Sequence, residues 1–275
     1  MSTRLVSVVV PTKDVGRTIR RCLESIRAQD HRELELIVVD NFSGDATFGV
    51  AQELADVAVQ RGPERSAQRN HAIALATGRW VLWADADMRL SPRVVSDAVE
   101  TAEREDAIAV FIPETSVGEG FWTACRALER RCYAGEPMIE APRLVRRDFF
   151  ERSGGFVADV AGQEDAELRM RLLADGARLA WSTAAIEHDE GRLTFGGVMR
   201  KRLYYGRSIP AYAAAAPGAV PAQALATLRA FARHWRLLAA DPVHAVGMLV
   251  LRSCELVAYG AGALRARRAA GVVTR

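Results

Sequence analysis

Apolar residues in the first ninety positions follow two alternating rhythms. Leu5–Val10 is a continuous, mostly β-branched run, the mark of a strand covered on both faces. The run stops at Pro11, and Ile19, Cys22, Leu23 and Ile26 then recur at helical spacing. Leu36–Asp40 predicts a second buried strand, Ala51–Leu54 closes a short helical turn, and Val57–Val59 predicts a third strand. Ser66–Ala76 reads as a helix stopped by Gly78, and Trp80–Ala84 as a further strand. This β–α–β–α order predicts an α/β fold with a mainly parallel central sheet flanked by helices.

After Ile112 the periodicity is less regular. A helix is predicted over Phe121–Tyr133, followed by a Gly154-Gly155-Phe156 turn. A second helix opens at Glu164 and Asp165 and presents Leu168 and Leu172 on one face, and Leu179–Trp181 reads as a short strand. Beyond Gly197 the chain is Ala-rich and helical, with breaks predicted at Pro210, Pro217 and Pro221.

The chain has 275 residues, enough for a sizeable core without covalent staples. Its net charge of +3 conceals an asymmetry: residues 196–275 carry 12 Lys/Arg against two acids, Asp241 and Glu255, and the rest of the chain is acidic on balance. A basic third on an acidic body predicts different partners for the two ends. Cys22, Cys125, Cys132 and Cys254 form no CxxC pair and read as free thiols of a reducing compartment. The N-terminal apolar run is too short and too β-branched for a signal peptide.

In parallel sheets, ligands gather beyond the carboxyl ends of the strands. Here those ends carry Thr12 and Asp14, then Asp40 and Asn41, then Asp85 and Asp87. Any one of them alone reads better as a turn former or helix cap. Three acid-tipped strands on one rim point to a site. In Asp85-Ala86-Asp87 two carboxylates one residue apart can lean toward one hard cation, Mn²⁺ or Mg²⁺, whose shell diphosphate oxygens and water complete.

At this point the chain resembles the family 2 glycosyltransferases, inverting enzymes with the GT-A fold. Val8-Val9-Val10-Pro11-Thr12 is similar to the opening strand that packs on the nucleobase, and Asp40-Asn41-Phe42-Ser43-Gly44-Asp45-Ala46-Thr47 to the loop after the second strand. Arg65-Ser66-Ala67-Gln68-Arg69-Asn70 resembles a basic helix start near the nucleotide, and Asp85-Ala86-Asp87 stands where the metal motif belongs. Gly154-Gly155-Phe156 with Gln163-Glu164-Asp165 resembles the acceptor-side motif. These segments span about residues 5–175. The resemblance implies nucleotide contacts from Pro11, Thr12, Asp40, Arg65, Arg69, Asn70 and Asp85, with Asp14 where the family often has an Asn-Glu pair. It implies metal contacts from Asp85, Asp87 and His188. Asp165 would be the base that deprotonates the acceptor hydroxyl, with Glu164 as its neighbour. A helix cap is the plain alternative for Asp165, and a surface turn for His188.

The implied organisation is a GT-A catalytic domain over residues 1–195, with a nucleotide-binding half (1–90) and an acceptor half (91–195), and a helical, basic, membrane-peripheral extension over 196–275. Pro113-Glu114, Glu119–Trp122, Glu140 and Arg143 fall where an acceptor pocket is expected, with nothing in the sequence to rank them. The run Lys201–Ser208 would either contact phosphate or form a solvated basic face. Leu228, Phe231, Trp235 and Leu238 share one helical face and Arg229, Arg233 and Arg236 another, as in interfacial helices. Val243–Leu264 is as long as a membrane span, but it contains His244, Arg252 and Glu255. It reads as a buried or interface-lying helix, with Arg252 and Glu255 paired and Arg265, Arg267 and Arg268 facing anionic lipid.

The predicted partners are a nucleoside-diphosphate sugar, a lipid-linked or glycan acceptor and an anionic membrane surface at the inner face of the plasma membrane. Nucleic acid is not among them, for no recognition helix or stacking strand accompanies the basic end. Two other readings are a sugar-nucleotide-forming nucleotidyltransferase and a catalytically silent membrane scaffold. The first lacks a Gly-rich triphosphate loop after Thr12, and the second predicts loss of Asp87 or Asp165, both of which are present.

Overall fold

The computed structural model describes residues 4–273, with side chains through residue 268. The chain opens with β1 (Val6–Thr12), α1 (Ile19–Arg27), β2 (Leu34–Asp40), α2 (Thr47–Leu54), β3 (Val57–Gln60), α3 (Arg65–Leu75) and β4 (Trp80–Trp83). Then come β5 (Met88–Leu90), α4 (Val94–Arg104), β6 (Ala109–Phe111), β7 (Glu114–Gly118), α5 (Phe121–Tyr133), β8 (Pro142–Arg146) and α6 (Arg147–Arg152). They are followed by α7 (Glu164–Ala174), β9 (Leu179–Trp181) and β10 (Ile186–Gly191). The rest is helical: α8 (Phe195–Gly206), α9 (Ile209–Ala215), α10 (Ala219–Arg233), α11 (Trp235–Ala240) and α12 (Pro242–Val273).

Seven strands form the main sheet in the order β3-β2-β1-β4-β8-β6-β9. The pairs β1–β2, β1–β4, β2–β3 and β6–β9 are parallel, and β8 runs antiparallel to both β4 and β6. All seven β1 residues are buried because both sheet faces are covered. Val6, Val8 and Val10 meet Ile19, Leu23 and Ile26 of α1 and the apolar stripe of α4. Val9 shares the opposite face with Trp83, Ile73, Leu168 and Leu172. The two-residue alternation of the strands thus divides the valines between two cores. A second sheet takes the order β5-β10-β7.

The chain forms two compact units, each discontinuous in sequence: residues 1–114, 141–158 and 168–189, and residues 115–140, 159–167 and 190–275. This differs from a division at residue 195, because α5 is grouped with the C-terminal helices. The helices part just before Pro210, between Gly206 and Ile209, and around Pro217, between Ala215 and Ala219, as expected. Pro221, by contrast, lies in the first turn of α10, where a missing N–H costs nothing, and does not break it. The apolar face drawn from Leu228 to Leu238 is interrupted at His234, and Phe231 turns inward to stack on Tyr133 at 5.7 Å between ring centroids.

In the second unit α12 lies against α5 and α8. It crosses α8 almost backbone to backbone: a Cβ on Gly262 would stand 2.3 Å from the Leu203 carbonyl oxygen. Gly262→Val is therefore expected to cost about 1–3 kcal/mol by overpacking, measured as a lower urea midpoint. A wild-type midpoint would contradict this close crossing. Beside it lies a buried ionic cluster. Arg126 bridges Glu129 and Glu255. Arg202 Nε donates to Glu255 at 2.7 Å, and Arg252 reaches Glu129 at 3.0 Å and Glu255 at 3.3 Å. Tyr133 donates its hydroxyl to Glu129 at 2.6 Å.

Candidate functional site

The parallel strands β1, β2 and β4 end on one rim, and two loops there are stitched together. Asp14 accepts from the Gly44 N–H at 2.8 Å, and Asp45 from the Gly16 N–H at 2.9 Å. Ser43 Oγ accepts from the Asp14 N–H, and Thr47 Oγ1 from the Val15 N–H. The Asp-Asn motif and the residues after Thr12 thus brace each other. Asp40 is fully buried and takes four bonds: from Thr12 Oγ1, Ser43 N, Ser43 Oγ and Gln60 Nε2. Burial alone would raise its carboxyl, but the Ser43, Gln60 and Thr12 donors hold it below its ordinary value. Pro11 and Thr12 are buried with it. Pro11, Thr12 and Asp40 thus support the rim from beneath, and Asp14 braces the two loops at its surface.

Asn70 is likewise committed. Its amide donates to the Phe156 carbonyl at 2.8 Å and accepts from the Phe156 N–H at 2.9 Å, which ties the Gly-Gly-Phe turn to α3. Gly155 has φ +73° there, and a Cβ on it would stand 2.9 Å from Asn70 Oδ1, so the turn requires glycine.

Around Asp85 and Asp87 the arrangement is different. Asp85 Oδ1 receives Arg69 Nη2 at 2.7 Å and Arg65 Nη1 at 3.5 Å, and Arg143 Nη1 stands 3.6 Å from Oδ2. Burial favours the neutral carboxyl, yet Arg69, Arg65, Arg143 and His188 hold it well below the usual carboxylate range. Asp87 instead faces His188, whose Nε2 is 3.2 Å from Oδ2. Its Oδ1 is buried without a hydrogen-bond donor. Arginines occupy Asp85, while Asp87 and His188 pair a carboxylate oxygen with an imidazole nitrogen.

Two residues that the sequence did not rank complete this arrangement. Glu114 accepts from Arg143 Nε at 2.7 Å, and its other oxygen stands 3.6 Å from His188 Nδ1. Both Glu114 and Arg143 side chains are 6% exposed. A chain of polar contacts thus runs Asp87, His188, Glu114, Arg143, Asp85. β10 supplies His188, held opposite Met88 by the antiparallel pairing with β5, and β8 supplies Arg143. The donor set suits a hard divalent cation: a carboxylate oxygen with no proton donor, beside an imidazole. Among the described residues no group of three or more His, Cys, Asp or Glu gathers as a complete metal cage. Two protein ligands leave room for phosphate oxygens and water.

The remaining predicted residues lie in the second unit. Glu164 and Asp165 open α7, where Glu164 is buried and Asp165 is half-buried. Of the two, Asp165 is the more exposed.

Comparison with known proteins bears on the fold and the family. Among solved structures, the mannosyltransferase PcManGT of Pyrobaculum calidifontis, described in complex with GDP-Man and Mn2+, superposes with a TM-score of 0.63 at 21% identity, covering 94% of this chain and 86% of that one. S. aureus TarS 1-349 in complex with UDP-GlcNAc gives 0.56 at 17% identity, covering 96% and 92%. At these identities the likeness is one of fold, the GT-A fold. Among curated proteins, the putative glycosyltransferase EpsH of Bacillus subtilis is 31% identical over 116 residues, 40% of this chain and 34% of that protein. A PGL/p-HBAD biosynthesis glycosyltransferase of Mycobacterium bovis is 29% identical over 121 residues, 42% of this chain and 44% of that protein. The matched stretch is less than half of each relative's length. The profile of Glycosyl transferase family 2 matches residues 7–156, more than half of the chain, and takes in the braced rim, Asp85, Asp87, Glu114, Arg143 and the Gly-Gly-Phe turn. The chain belongs to glycosyl transferase family 2.

Proposed function

We propose that the chain is an inverting, metal-assisted glycosyltransferase. It moves a sugar from a nucleoside-diphosphate sugar to a hydroxyl of a lipid-linked or polysaccharide acceptor, at the inner face of the plasma membrane. The observation that carries this reading is Asp87, whose Oδ2 pairs with His188 while its buried Oδ1 has no hydrogen-bond donor, beside an arginine-held Asp85 at the carboxyl rim of the sheet. The PcManGT and TarS structures, described with GDP-Man and Mn2+ and with UDP-GlcNAc, support a nucleotide-sugar donor.

Asp87 and His188 would hold Mn²⁺ or Mg²⁺, which when bound supplies positive charge to a leaving diphosphate. Arg65, a third exposed beside Asp85, reaches toward the same phosphates. Asp85 keeps Arg69 and Arg143 in place, and Glu114 keeps Arg143 and His188 oriented. Asp165 takes the proton of the acceptor hydroxyl. The acceptor oxygen bonds to the sugar's anomeric carbon from the face opposite the diphosphate. The old carbon–oxygen bond breaks, its electron pair leaves with the diphosphate, and the anomeric configuration inverts.

Thermal unfolding with nucleoside diphosphates, with and without Mn²⁺, tests the donor half. One nucleotide should raise the melting temperature, and more so with the cation, because binding to the native state stabilises it. Asp87→Asn should lose the cation-dependent increment. If no nucleoside diphosphate shifts the transition under either condition, the reading fails.

A further inference from the structure

The outward face of α12 is apolar and free of charge over most of the helix. From Pro242 to Leu264 the exposed positions are Pro242, Val243, Val246, Leu249, Val250, Ser253, Leu256, Val257, Gly260 and Leu264. Positions 243, 246, 250, 253, 257, 260 and 264 alternate steps of three and four, so they form one stripe about 30 Å long. Val257 is 73% exposed, Leu256 67% and Val243 65%. The charges of this segment point the other way. Glu255 is fully buried, and Arg252 pairs with Glu129 and Glu255 in the cluster shared with α5 and α8.

The stripe does not read as a membrane span. α12 lies against α5 and α8. Crossing a bilayer would carry into hydrocarbon Arg130 and Arg131 of α5 and Arg200 and Lys201 of α8. A stripe lying along the surface of a bilayer avoids that cost. Its flanks supply the matching charge. Exposed Arg267 and Arg268 continue the stripe just past Leu264, and exposed Arg229, Arg233 and Arg236 precede it on α10 and α11. The only acids after residue 195, Asp241 and Glu255, are taken by His244 and by the buried arginines.

We propose that this face of α12 seats the protein on an anionic phospholipid bilayer. The helix lies in the membrane plane, the valine and leucine stripe sinks to the boundary between headgroups and acyl chains, and Arg267 and Arg268 meet lipid phosphates. The seat deepens the proposed membrane location and uses no residue of the nucleotide site.

Flotation of the purified full chain with phosphatidylcholine vesicles, with and without phosphatidylglycerol, reads the seat directly. The chain should float with the anionic vesicles, and less as salt rises. Leu249→Asp with Val257→Asp should weaken this about tenfold or more, as should Arg267→Glu with Arg268→Glu. All these positions are exposed, so both variants should keep the wild-type melting temperature and nucleoside-diphosphate shift. Flotation absent from the wild type, or unchanged in folded variants, overturns the seat. So does a soluble dimer that Val257→Asp separates without any vesicle binding, which would make the stripe an interface with a second copy. Resistance to carbonate extraction, requiring detergent for release, would show a span instead. Because flotation is run without donor, its failure leaves the nucleotide result standing, and the converse holds.

Discussion

Asp165→Asn is expected to lower turnover by about a hundred- to ten-thousandfold while leaving nucleoside-diphosphate affinity unchanged. The amide keeps the shape of the side chain and removes its ability to take a proton. Asp165 is half-buried in the first turn of α7, and its neighbour Glu164 is buried. The two carboxylates should therefore separate experimentally. Glu164→Gln is expected to act on stability, and Asp165→Asn on chemistry with the melting temperature preserved. Turnover assays paired with calorimetric titration of the diphosphate distinguish the two. Near-wild-type turnover in Asp165→Asn would remove it from the role of base and leave it as a helix cap.

Glu255→Ala is expected to destabilise the protein by about 3–5 kcal/mol, the range seen when one partner of a buried ion pair is removed. Glu255 faces Arg126, Arg202 and Arg252 with no exposed surface, so alanine leaves those guanidiniums without their shared counter-charge. Urea unfolding at neutral pH measures the loss. Its pH dependence is a second check. Burial works against the Glu255 charge, but Arg202, Arg126 and Arg252 overcome it and bring the carboxyl down to about 2 from an ordinary 4.5. A depressed acid stabilises the native state above its unfolded pKa, and the contribution fades as pH falls from about 4.5 toward 2. The gap between wild type and Glu255→Ala should narrow through that window. A gap that stays constant from neutral pH to pH ~3 would contradict the assignment.

The first ninety residues were readable because their strands are long or fully apolar and their helices carry one clear stripe. β1, β3, α3 and β4 fall within a residue or two of their expected bounds. β5, β6 and β10 carried no such signal: three to six residues is too short for a two-residue period to stand out. The site was legible in its residue types and less so in their use. A carboxylate that closes a loop and one that holds a ligand look alike in sequence, so the bracing bonds of Asp14 and Asp40 had no signal there. The bonds of Asn70 to Phe156 had no signal in the sequence either, since that partner is 86 residues away. Glu114 and Arg143 could not be ranked because only the antiparallel insertion of β8 between β4 and β6 brings Arg143 to the rim. The pairing of Arg252 with Glu255 was readable from their spacing alone, and the structure contains it at 3.3 Å.

The interlaced boundaries of the two units bear on how such a protein can change over generations. The backbone passes from one unit to the other after residues 114, 140, 158, 167 and 189, and α7 straddles one of these passages. A single recombination breakpoint cannot trade either unit on its own, because the segments of each unit are separated by those of the other. Exchanging a whole unit needs more than one breakpoint, and proteolytic nicking at one bond should release neither unit alone.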